Sequence, residues 1–269
     1  MQTESAETPQ QPSGPGSRQP LSAVIITKNA AAQLAACLES AAFAEEILLV
    51  DSDSSDGTAE LAAKNGARVI QKKEWLGFGR QKQFAVEAAR HDWVLCLDAD
   101  ERISTTLRAS ILAVLAAPAA QAYAMPRCNR FMGRWLRHGE GYPDWSLRLF
   151  DRRHARWSDD PVHEKVLTET PAVRLAGDLL HESAETLARY LDKQNRYTSM
   201  QAELMFKAGK RAGLAQLLLS PGLRFIKFYF LRLGFLDGSA GLVHILIGCC
   251  NSFHKYAKLM ALQQERDRK

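Results

Sequence analysis

The sequence predicts an α/β protein with a mixed, mainly parallel sheet flanked by helices and followed by a helical C-terminal extension. The first observation is alternation, because four short apolar segments alternate with segments of helical periodicity over about 80 residues. The second is size, because 269 residues, of which 46% are hydrophobic and 24% charged, suffice for one large core. The third is the change to basic, apolar sequence near the C-terminus.

The elements follow in chain order. The predicted strands are "LSAVIIT" (21–27), "ILLVD" (47–51), "RVIQ" (68–71) and "WVLCLD" (93–98). The predicted helices are "KNAAAQLAACLESA" (28–41), "AELAAKNGA" (59–67), which Gly66 stops, and "GRQKQFAVEAAR" (79–90). After about residue 122, irregular aromatic and Arg-rich sequence predicts further strands and loops that complete the sheet. Apolar spacing from Ser183 to about Lys207 predicts a long amphipathic helix.

Composition divides the chain into three parts. Residues 1–20 are rich in Gln, Ser, Pro, Thr and Gly, which predicts a disordered leader, and they lack the basic and apolar regions of a secretory signal. Residues 21–207 form the predicted α/β domain, and residues 208–269 form the extension. The five cysteines are scattered without metal-type spacing, which favours a reduced, cytoplasmic setting.

The extension alternates bulky apolar runs with Arg224, Lys227 and Arg232. No run reaches the roughly 18 to 20 uninterrupted apolar residues of a spanning helix. The pattern favours an amphipathic element lying on the inner face of the cytoplasmic membrane. A pair of helices docked on the core is the alternative.

The formal net charge is only +5, but the positive charges cluster. Eight arginines lie between Arg127 and Arg156, and nine bases against three acids follow residue 210. Such regions suit phosphorylated ligands, nucleic acid or an anionic membrane, and a merely solvated surface is the alternative.

Acids at two predicted strand ends argue for a ligand site. Asp98 and Asp100 follow "WVLCL" in D-x-D spacing, and both can reach a hard divalent cation such as Mg²⁺ or Mn²⁺. A solvated strand end is the alternative. Asp51 and Asp53 in "VDSDSSDGT" suit a nucleobase edge or ribose hydroxyls, with Asp56 as the N-cap of the next helix. In a parallel sheet such strand ends face one cleft.

Other nucleotide folds are disfavoured. There is no G-x-G-x-x-G after the first strand and no G-x-x-x-x-G-K-[ST] in the chain. A nucleotidyltransferase is expected to have a Gly/Arg-rich loop where this chain has "TKNAAAQ". A protein that only binds nucleic acid needs no acids at two strand ends, so no nucleic-acid partner is expected.

Several stretches together resemble a known family. "SAVIITKN", "ILLVDSDSSDGT", "GFGRQKQFAVEAA" and "WVLCLDADE", in this order and spacing, resemble the family 2 glycosyltransferases of GT-A (Rossmann-like) fold. "WSLRLF", "PVHEKV" and "GFLDGSAGLVHILIGCCNSFHKYAKL" resemble the branch that includes the β-1,4-glucosyltransferases of lipopolysaccharide inner-core assembly. The resemblance covers about residues 21–260.

The resemblance implies roles for individual residues on the donor side. Thr27 and Asn29 would line the nucleotide pocket, and Asp51 and Asp53 would hold the uracil and ribose of a UDP-sugar. Lys82 would lie near the base or the diphosphate.

The resemblance also implies a metal site. Asp98 would face the ribose or the sugar and contribute to the metal site, and Asp100 would bind the Mg²⁺ or Mn²⁺ that bridges the two phosphates. His163 and His181 would assist metal or diphosphate binding, with a structural role as the alternative. Arg148 would contact the diphosphate or the acceptor, with a structural ion pair as the alternative.

Enzymes of this type invert the anomeric carbon, which requires one general base. Glu164 in "VHE" is the first candidate, because a carboxylate on the acceptor wall is where the base must lie, and Asp144 is the second. The Glu-Asp pair usual in the family is not evident in this sequence. The implied reaction moves a hexose, glucose from UDP-glucose, to a membrane-anchored saccharide such as lipopolysaccharide inner-core heptose. A polyprenyl-phosphate hexosyltransferase and, more remotely, a nucleotidyltransferase are the alternatives.

Overall fold

The computed structural model describes residues 18–160, 164–183 and 186–268. Its first half alternates four strands with three helices, and the strands pair in parallel in the order β3-β2-β1-β4. These elements are β1 (Leu21–Thr27), α1 (Ala31–Ala41), β2 (Glu46–Asp51), α2 (Thr58–Lys64), β3 (Arg68–Gln71), α3 (Phe78–Ala88) and β4 (Trp93–Asp98). The predicted alternation is confirmed.

The second part of the chain extends this sheet with strands of both directions. The order continues from β4 as β8-β6-β12-β5, and β8 runs antiparallel to both of its neighbours. These elements are β5 (Glu101–Ile103), α4 (Thr105–Ala116), β6 (Ala122–Phe131), β7 (Arg134–Trp135), β8 (Asp144–Asp151), β9 (Ala155–Trp157), β10 (Val166–Thr168), β11 (Val173–Arg174) and β12 (Leu179–His181). Strands β9 and β10 form a separate antiparallel pair.

Helices cover both faces of the sheet because the strands bury residues on both sides. Alternate residues of β1 enter different cores: Ile25 packs with α1 and α4, whereas Ile26 packs with α3 and Phe150. Both residues are buried, as expected for a central strand of a parallel sheet. Helix α4, which the sequence analysis did not predict, completes the first of these cores with three fully buried apolar residues, Leu107, Ile111 and Leu115.

The C-terminal part is helical. It consists of α5 (Leu187–Lys207), α6 (Leu214–Phe225), a π-helical turn (Ile226–Leu231), a 3-10 turn (Gly234–Asp237) and α7 (Gly238–Asp267). Helix α7 packs on both α5 and α6. Asp237 joins this part to the sheet, because its buried carboxylate accepts hydrogen bonds from the backbone N–H groups of Arg137 and His138.

The extension contains one long, largely apolar helical stretch. Among the described residues, Gly234–Asp267 is long and apolar enough to cross a membrane by length and composition, with a mean hydropathy of 1.2 over its most apolar part, of which 39% is buried. Polar residues such as His244 and Asn251 interrupt it, so it is not an uninterrupted apolar run. Most of the predicted leader, residues 1–17, lies outside the described residues.

Candidate active site

The carboxyl ends of neighbouring parallel strands place the predicted acids along one edge of the sheet. Thr27, the last residue of β1, pairs in register with Asp51 of β2, and Ile26 pairs with Asp98 of β4. Because adjacent strands lie about 4.8 Å apart, Asp51 and Asp98 are separated by roughly 10 Å, with β1 between them. This is the arrangement expected if both acids line one cleft.

Side-chain hydrogen bonds tie together the loops that follow β1 and β2. Asp51 is fully buried and accepts from the backbone N–H of Ser54 at 3.0 Å and from its hydroxyl. The Ser54 hydroxyl accepts from the Asn29 N–H at 2.8 Å, and Asn29 Oδ1 accepts from the Ser55 N–H at 2.9 Å. Asn29 and Asp53 adopt positive φ, a conformation that Asn and Asp tolerate better than most residues. The exposed Asp53 therefore lies on a loop whose conformation these hydrogen bonds hold in place.

Two oxygens near these loops are buried without a hydrogen-bond partner among the described residues, Thr27 Oγ1 and Gln81 Oε1. Gln81 lies on α3 and donates to Ser52 Oγ at 3.1 Å, which places it against the loop after β2. Buried polar atoms are normally paired, so these oxygens are available to donors of a bound ligand or water. Gln81 was not predicted as a site residue.

Asp56 differs in detail from its predicted role. Gly57, not Asp56, occupies the N-cap position of α2. The Asp56 carboxylate instead accepts from the N–H of Thr58, the first residue of α2, at 3.1 Å and from the N–H of Ala31, the first residue of α1, at 3.0 Å. It therefore joins the N-termini of two helices, where a negative charge is favoured.

Two cations hold Asp98. One of its carboxylate oxygens lies 3.2 Å from the ammonium of Lys82, and the other accepts from the guanidinium of Arg148 at 2.8 Å. Burial alone would raise the pKa of the Asp98 carboxyl, but Arg148 and Lys82 outweigh burial and hold that pKa well below its usual range. Asp98 is therefore ionised and compensated by the protein itself.

Glu101, which was not predicted, completes this ion-pair network. Its fully buried carboxylate lies 3.0 Å from Arg148 and 2.9 Å from Arg127, and it accepts from the Asp98 N–H at 3.0 Å. Burial opposes the charge of Arg148, but Glu101 and Asp98 raise the pKa of its guanidinium above the usual value. Arg148 is the extra residue of a β-bulge between β8 and β6, a device that re-aims a side chain.

Lys82 also connects the network to Glu164. Its ammonium lies 3.3 Å from Glu164 Oε1 and 4.8 Å from the ring centre of Trp157. Gly79, one turn earlier on α3, makes this approach possible, because a Cβ there would lie 2.3 Å from the carbonyl oxygen of Ser158. Glu164 thus lies on the wall of the same cleft edge as Asp98.

Asp100 and His181 form a separate pair beside this network. Asp100 lies in the turn between β4 and β5, and its Oδ2 is 3.1 Å from His181 Nε2 at the end of β12. The other ring nitrogen of His181, Nδ1, lies 2.7 Å from Asn129 Oδ1. The two contacts fix the orientation of the imidazole ring, so that Nε2 faces the Asp100 carboxylate.

This donor set fits a divalent cation. Asp100 Oδ2 and His181 Nε2 are 3.1 Å apart, a separation at which a proton or a cation can lie between them. Two adjacent ligands of an octahedral Mg²⁺, each about 2.1 Å from the ion, are themselves about 3.0 Å apart. Among the described residues no group of three or more His, Cys, Asp and Glu side chains could hold a metal, so the remaining ligands would be substrate phosphates and water.

Asp144 begins β8, which runs antiparallel to β4, so the start of β8 lies at the same edge as Asp98. The Asp144 side chain is exposed, and no hydrogen bond or ion pair reaches it from the described part of the chain. His163 lies outside the described residues. The other predicted site residues, Thr27, Asn29, Asp51, Asp53, Lys82, Asp98, Asp100, Arg148, Glu164 and His181, lie along the carboxyl edge or on its walls.

Comparisons with known proteins identify the family. Residues 22–170, more than half of the chain, match the family described as "Glycosyl transferase family 2". The chain belongs to glycosyl transferase family 2. It is 31% identical over 247 residues to the lipopolysaccharide core biosynthesis glycosyltransferase LpsC of Rhizobium meliloti, covering 89% of this chain and 92% of LpsC. It is 30% identical over 256 residues to an uncharacterized glycosyltransferase of Rickettsia felis, covering 89% of each protein.

A solved structure confirms the GT-A fold. The mannosyltransferase PcManGT from Pyrobaculum calidifontis, solved in complex with GDP-Man and Mn²⁺, aligns with a TM-score of 0.52 over 95% of this chain and 89% of its own. At 15% sequence identity this similarity concerns the fold alone. The predicted fold class, family and enzyme class are therefore confirmed, and the protein is a glycosyltransferase.

The ion-pair network makes a testable prediction about stability. Arg148→Met leaves the buried carboxylates of Asp98 and Glu101 undercompensated and should cost about 3–5 kcal/mol of unfolding free energy at neutral pH. In the wild type the pKa of Asp98 is lower in the folded protein than in the unfolded chain. The ionised Asp98 therefore stabilises the fold above the ordinary Asp pKa near 3.9, and this stabilisation is lost as the pH falls through the pKa of the folded protein. In the variant the carboxyls take up protons more readily, so the cost should shrink at about pH 4.5. Urea unfolding at both pH values measures this.

Arg80→Met is the matched control, because Arg80 is exposed and its guanidinium lies 3.7 Å from Asp159. It should change the unfolding free energy by less than about 1 kcal/mol at either pH. An Arg148→Met cost that is independent of pH, or no larger than that of the control, contradicts the assigned network.

Proposed function

We propose that this glycosyltransferase inverts the anomeric carbon while moving a hexose, glucose from UDP-glucose, to a membrane-anchored saccharide. A lipopolysaccharide inner-core heptose is the proposed acceptor, and the similarity to LpsC over 92% of that protein supports it. The observation that carries the proposal is the Asp100–His181 pair beside the compensated Asp98, at the edge where parallel strands end. The metal ion would bind at Asp100 and His181, where it would neutralise the diphosphate, and the sugar would contact the neighbouring Asp98, whose charge is already compensated.

The loops after β1 and β2 are the proposed nucleotide pocket. Asp51 and Asp53 would accept hydrogen bonds from the uracil and the ribose, with Thr27 and Asn29 lining the pocket. The exposed carboxylate of Asp53 and the unpaired Thr27 Oγ1 support this assignment. Lys82 would contribute positive potential near the base or the diphosphate.

Asp100 and His181 would hold Mn²⁺ or Mg²⁺, and Asn129 would keep the His181 ring oriented through Nδ1. When bound, the ion supplies charge neutralisation for the departing UDP. Asp98, fixed by Lys82 and Arg148, would orient the ribose or the sugar without needing to bind the ion. From its position beside Asp98, Arg148 would contact the diphosphate or the acceptor.

Inversion needs one carboxylate to take the proton of the acceptor hydroxyl. Glu164 is the first candidate, because its carboxylate lies 3.3 Å from the Lys82 ammonium that also contacts Asp98. Asp144 is the second, and its exposed position at the start of β8 leaves it free to meet an incoming acceptor.

We assign residues 21–207 to the transferase domain and 208–269 to an extension that lies on the inner face of the cytoplasmic membrane. No residue of helix α6 is buried. Four of its leucines each have more than three-fifths of their surface exposed: Leu214, Leu218, Leu219 and Leu223. Between Glu203 and Asp237 the chain has six bases and no acid. An apolar helix face flanked by bases fits an anionic bilayer surface.

A polyprenyl-phosphate hexosyltransferase is the second candidate. The stretch Gly234–Asp267, which meets the length and composition of a spanning helix, favours it. A panel that offers core saccharide and polyprenyl phosphate side by side separates the two acceptors, because only the true acceptor raises UDP release.

Asp100→Asn tests the metal assignment. The substitution keeps the shape but removes the charge, so UDP release from UDP-glucose should fall about 100-fold or more, and the Mn²⁺ concentration for half-maximal release should rise. A coupled assay of UDP release across UDP-sugars and Mn²⁺ concentrations measures both.

Asp92→Asn is its matched control. Asp92 lies just before the first residue of β4, at the opposite end of that strand from Asp100, and it pairs with Arg152 at the surface. It should leave both quantities unchanged. If Asp100→Asn turns over like wild type with the same Mn²⁺ dependence, or if no UDP-sugar releases UDP from wild type, the proposal fails.

A double substitution of Leu219→Glu and Leu223→Glu tests the membrane face. Each exposed leucine that enters the bilayer contributes about 1.5–3 kcal/mol, so binding to vesicles containing phosphatidylglycerol should weaken at least about 10-fold. Co-sedimentation at low and high salt measures it, and salt should also weaken wild-type binding.

The control places Glu at Leu167 and Val173, which are exposed apolar residues of the transferase domain. This control should sediment with vesicles as wild type does. Equal binding by the α6 variant and wild type argues against α6 as the membrane face.

A further inference from the structure

The facing surfaces of α5 and α7 are polar, although packed helices normally bury apolar stripes. Helix α5 contributes positions spaced three and four apart, among them Gln194, Thr198 and Gln201, and α7 contributes the adjacent Asn251 and Ser252 and, one turn later, Lys255. Together with Arg224 of α6 they line a cavity of about 160 Å³. This cavity is large enough for several waters or a small polar ligand.

Gln194 and Asn251 pair across the cavity wall, with the Asn251 amide donating to Gln194 Oε1 at 2.8 Å. By contrast, the exposed Tyr197 hydroxyl and Gln201 amide make no hydrogen bond within the described ranges. The Lys255 ammonium makes no ion pair there and lies 4.7 Å from the ring centre of Tyr256. Polar groups that converge from two helices without pairing are suited to a polar ligand.

The positive charge of Arg224 at the base of the cavity is compensated. The Arg224 guanidinium pairs with Glu140, one of the two contacts being at 3.0 Å, and Gly248 leaves room for this pair. A Cβ at Gly248 would lie 2.3 Å from the Glu140 carboxylate. Burial, assisted by Arg224, lowers the pKa of His244. Lys255, which contacts the Tyr256 ring, thus brings to the cavity a positive charge that has no carboxylate partner among the described residues.

Strand β6 links the wall of the cavity to the proposed metal pair. Strand β6 carries both Asn129, which contacts His181, and Phe131, whose ring packs 5.5 Å from Tyr190 and 5.2 Å from His244 at the cavity wall. Two residues of strand span about 7 Å. A ligand in the cavity is thus within reach of the sheet edge where the donor would bind.

We propose that this cavity binds an anionic saccharide unit of the acceptor, a sugar that carries a phosphate ester. The assignment rests on the proposed transferase function. Amides and hydroxyls pair with sugar hydroxyls, tyrosine rings cover an apolar sugar face, and the Lys255 ammonium attracts the phosphate. Holding the acceptor here, away from the donor loops, fixes which of its hydroxyls reaches the anomeric carbon.

Calorimetric titration tests the assignment with core oligosaccharide freed of its acyl chains, used with its phosphates intact and after phosphatase treatment. Lys255→Gln should weaken binding of the phosphorylated form about 10-fold, the effect of a lost charge-assisted hydrogen bond. Phosphatase treatment should weaken wild-type binding by a similar factor, and the variant and wild type should then bind alike. Arg196→Gln, which removes an exposed charge of α5 outside the cavity lining, should bind as wild type does.

Other outcomes overturn the assignment. Lys255 has no role in phosphate recognition if Lys255→Gln weakens the binding of both oligosaccharides equally or of neither. The same conclusion follows if Arg196→Gln weakens binding as much as Lys255→Gln does. If wild type binds neither oligosaccharide but releases UDP from a UDP-sugar, the cavity assignment fails and the transferase function stands. If wild type also releases no UDP from any UDP-sugar, the proposed function itself fails.

Discussion

Lys82 and Arg148 compensate the charges of the partly buried Asp98 and the fully buried Glu101 beside the carboxyl edge of the sheet, and the rest of the site depends on this pairing. Clustered carboxylates at a strand end repel one another and resist burial. Here Asp98 lies between two cations, and Glu101, fully buried, shares Arg148 with it. The edge can therefore remain acidic and ordered in the absence of any ligand.

This pairing divides the D-x-D acids between two tasks. Asp98 already contacts two cations, whereas the Asp100 carboxylate contacts the imidazole ring of His181. In the proposed assignment a divalent ion binds at Asp100 and His181, because at Asp98 it would have to displace Lys82 or Arg148. The spacing of the two acids in sequence conceals this difference, because only the surrounding strands create it.

The sequence allowed the parallel half of the sheet to be predicted, since apolar periodicity and strand-end acids are local signals. Asp51, Asp98 and Asp100 follow from such signals. Glu101 and Asn129 could not be predicted, because their importance comes from partners that are distant in sequence. Helix α4 was missed because its apolar residues lie all round its axis rather than in one clear stripe. The bulge that aims Arg148 depends on the register of two antiparallel strands, which no local pattern fixes.

The most direct test of this account is to locate Mn²⁺ by anomalous scattering in crystals grown with Mn²⁺ and UDP. The account predicts a single peak bonded to Asp100 and to His181 Nε2, with the Lys82 and Arg148 contacts to Asp98 unchanged. A peak bonded to Asp98 with either cation displaced, or no peak near His181, would contradict it.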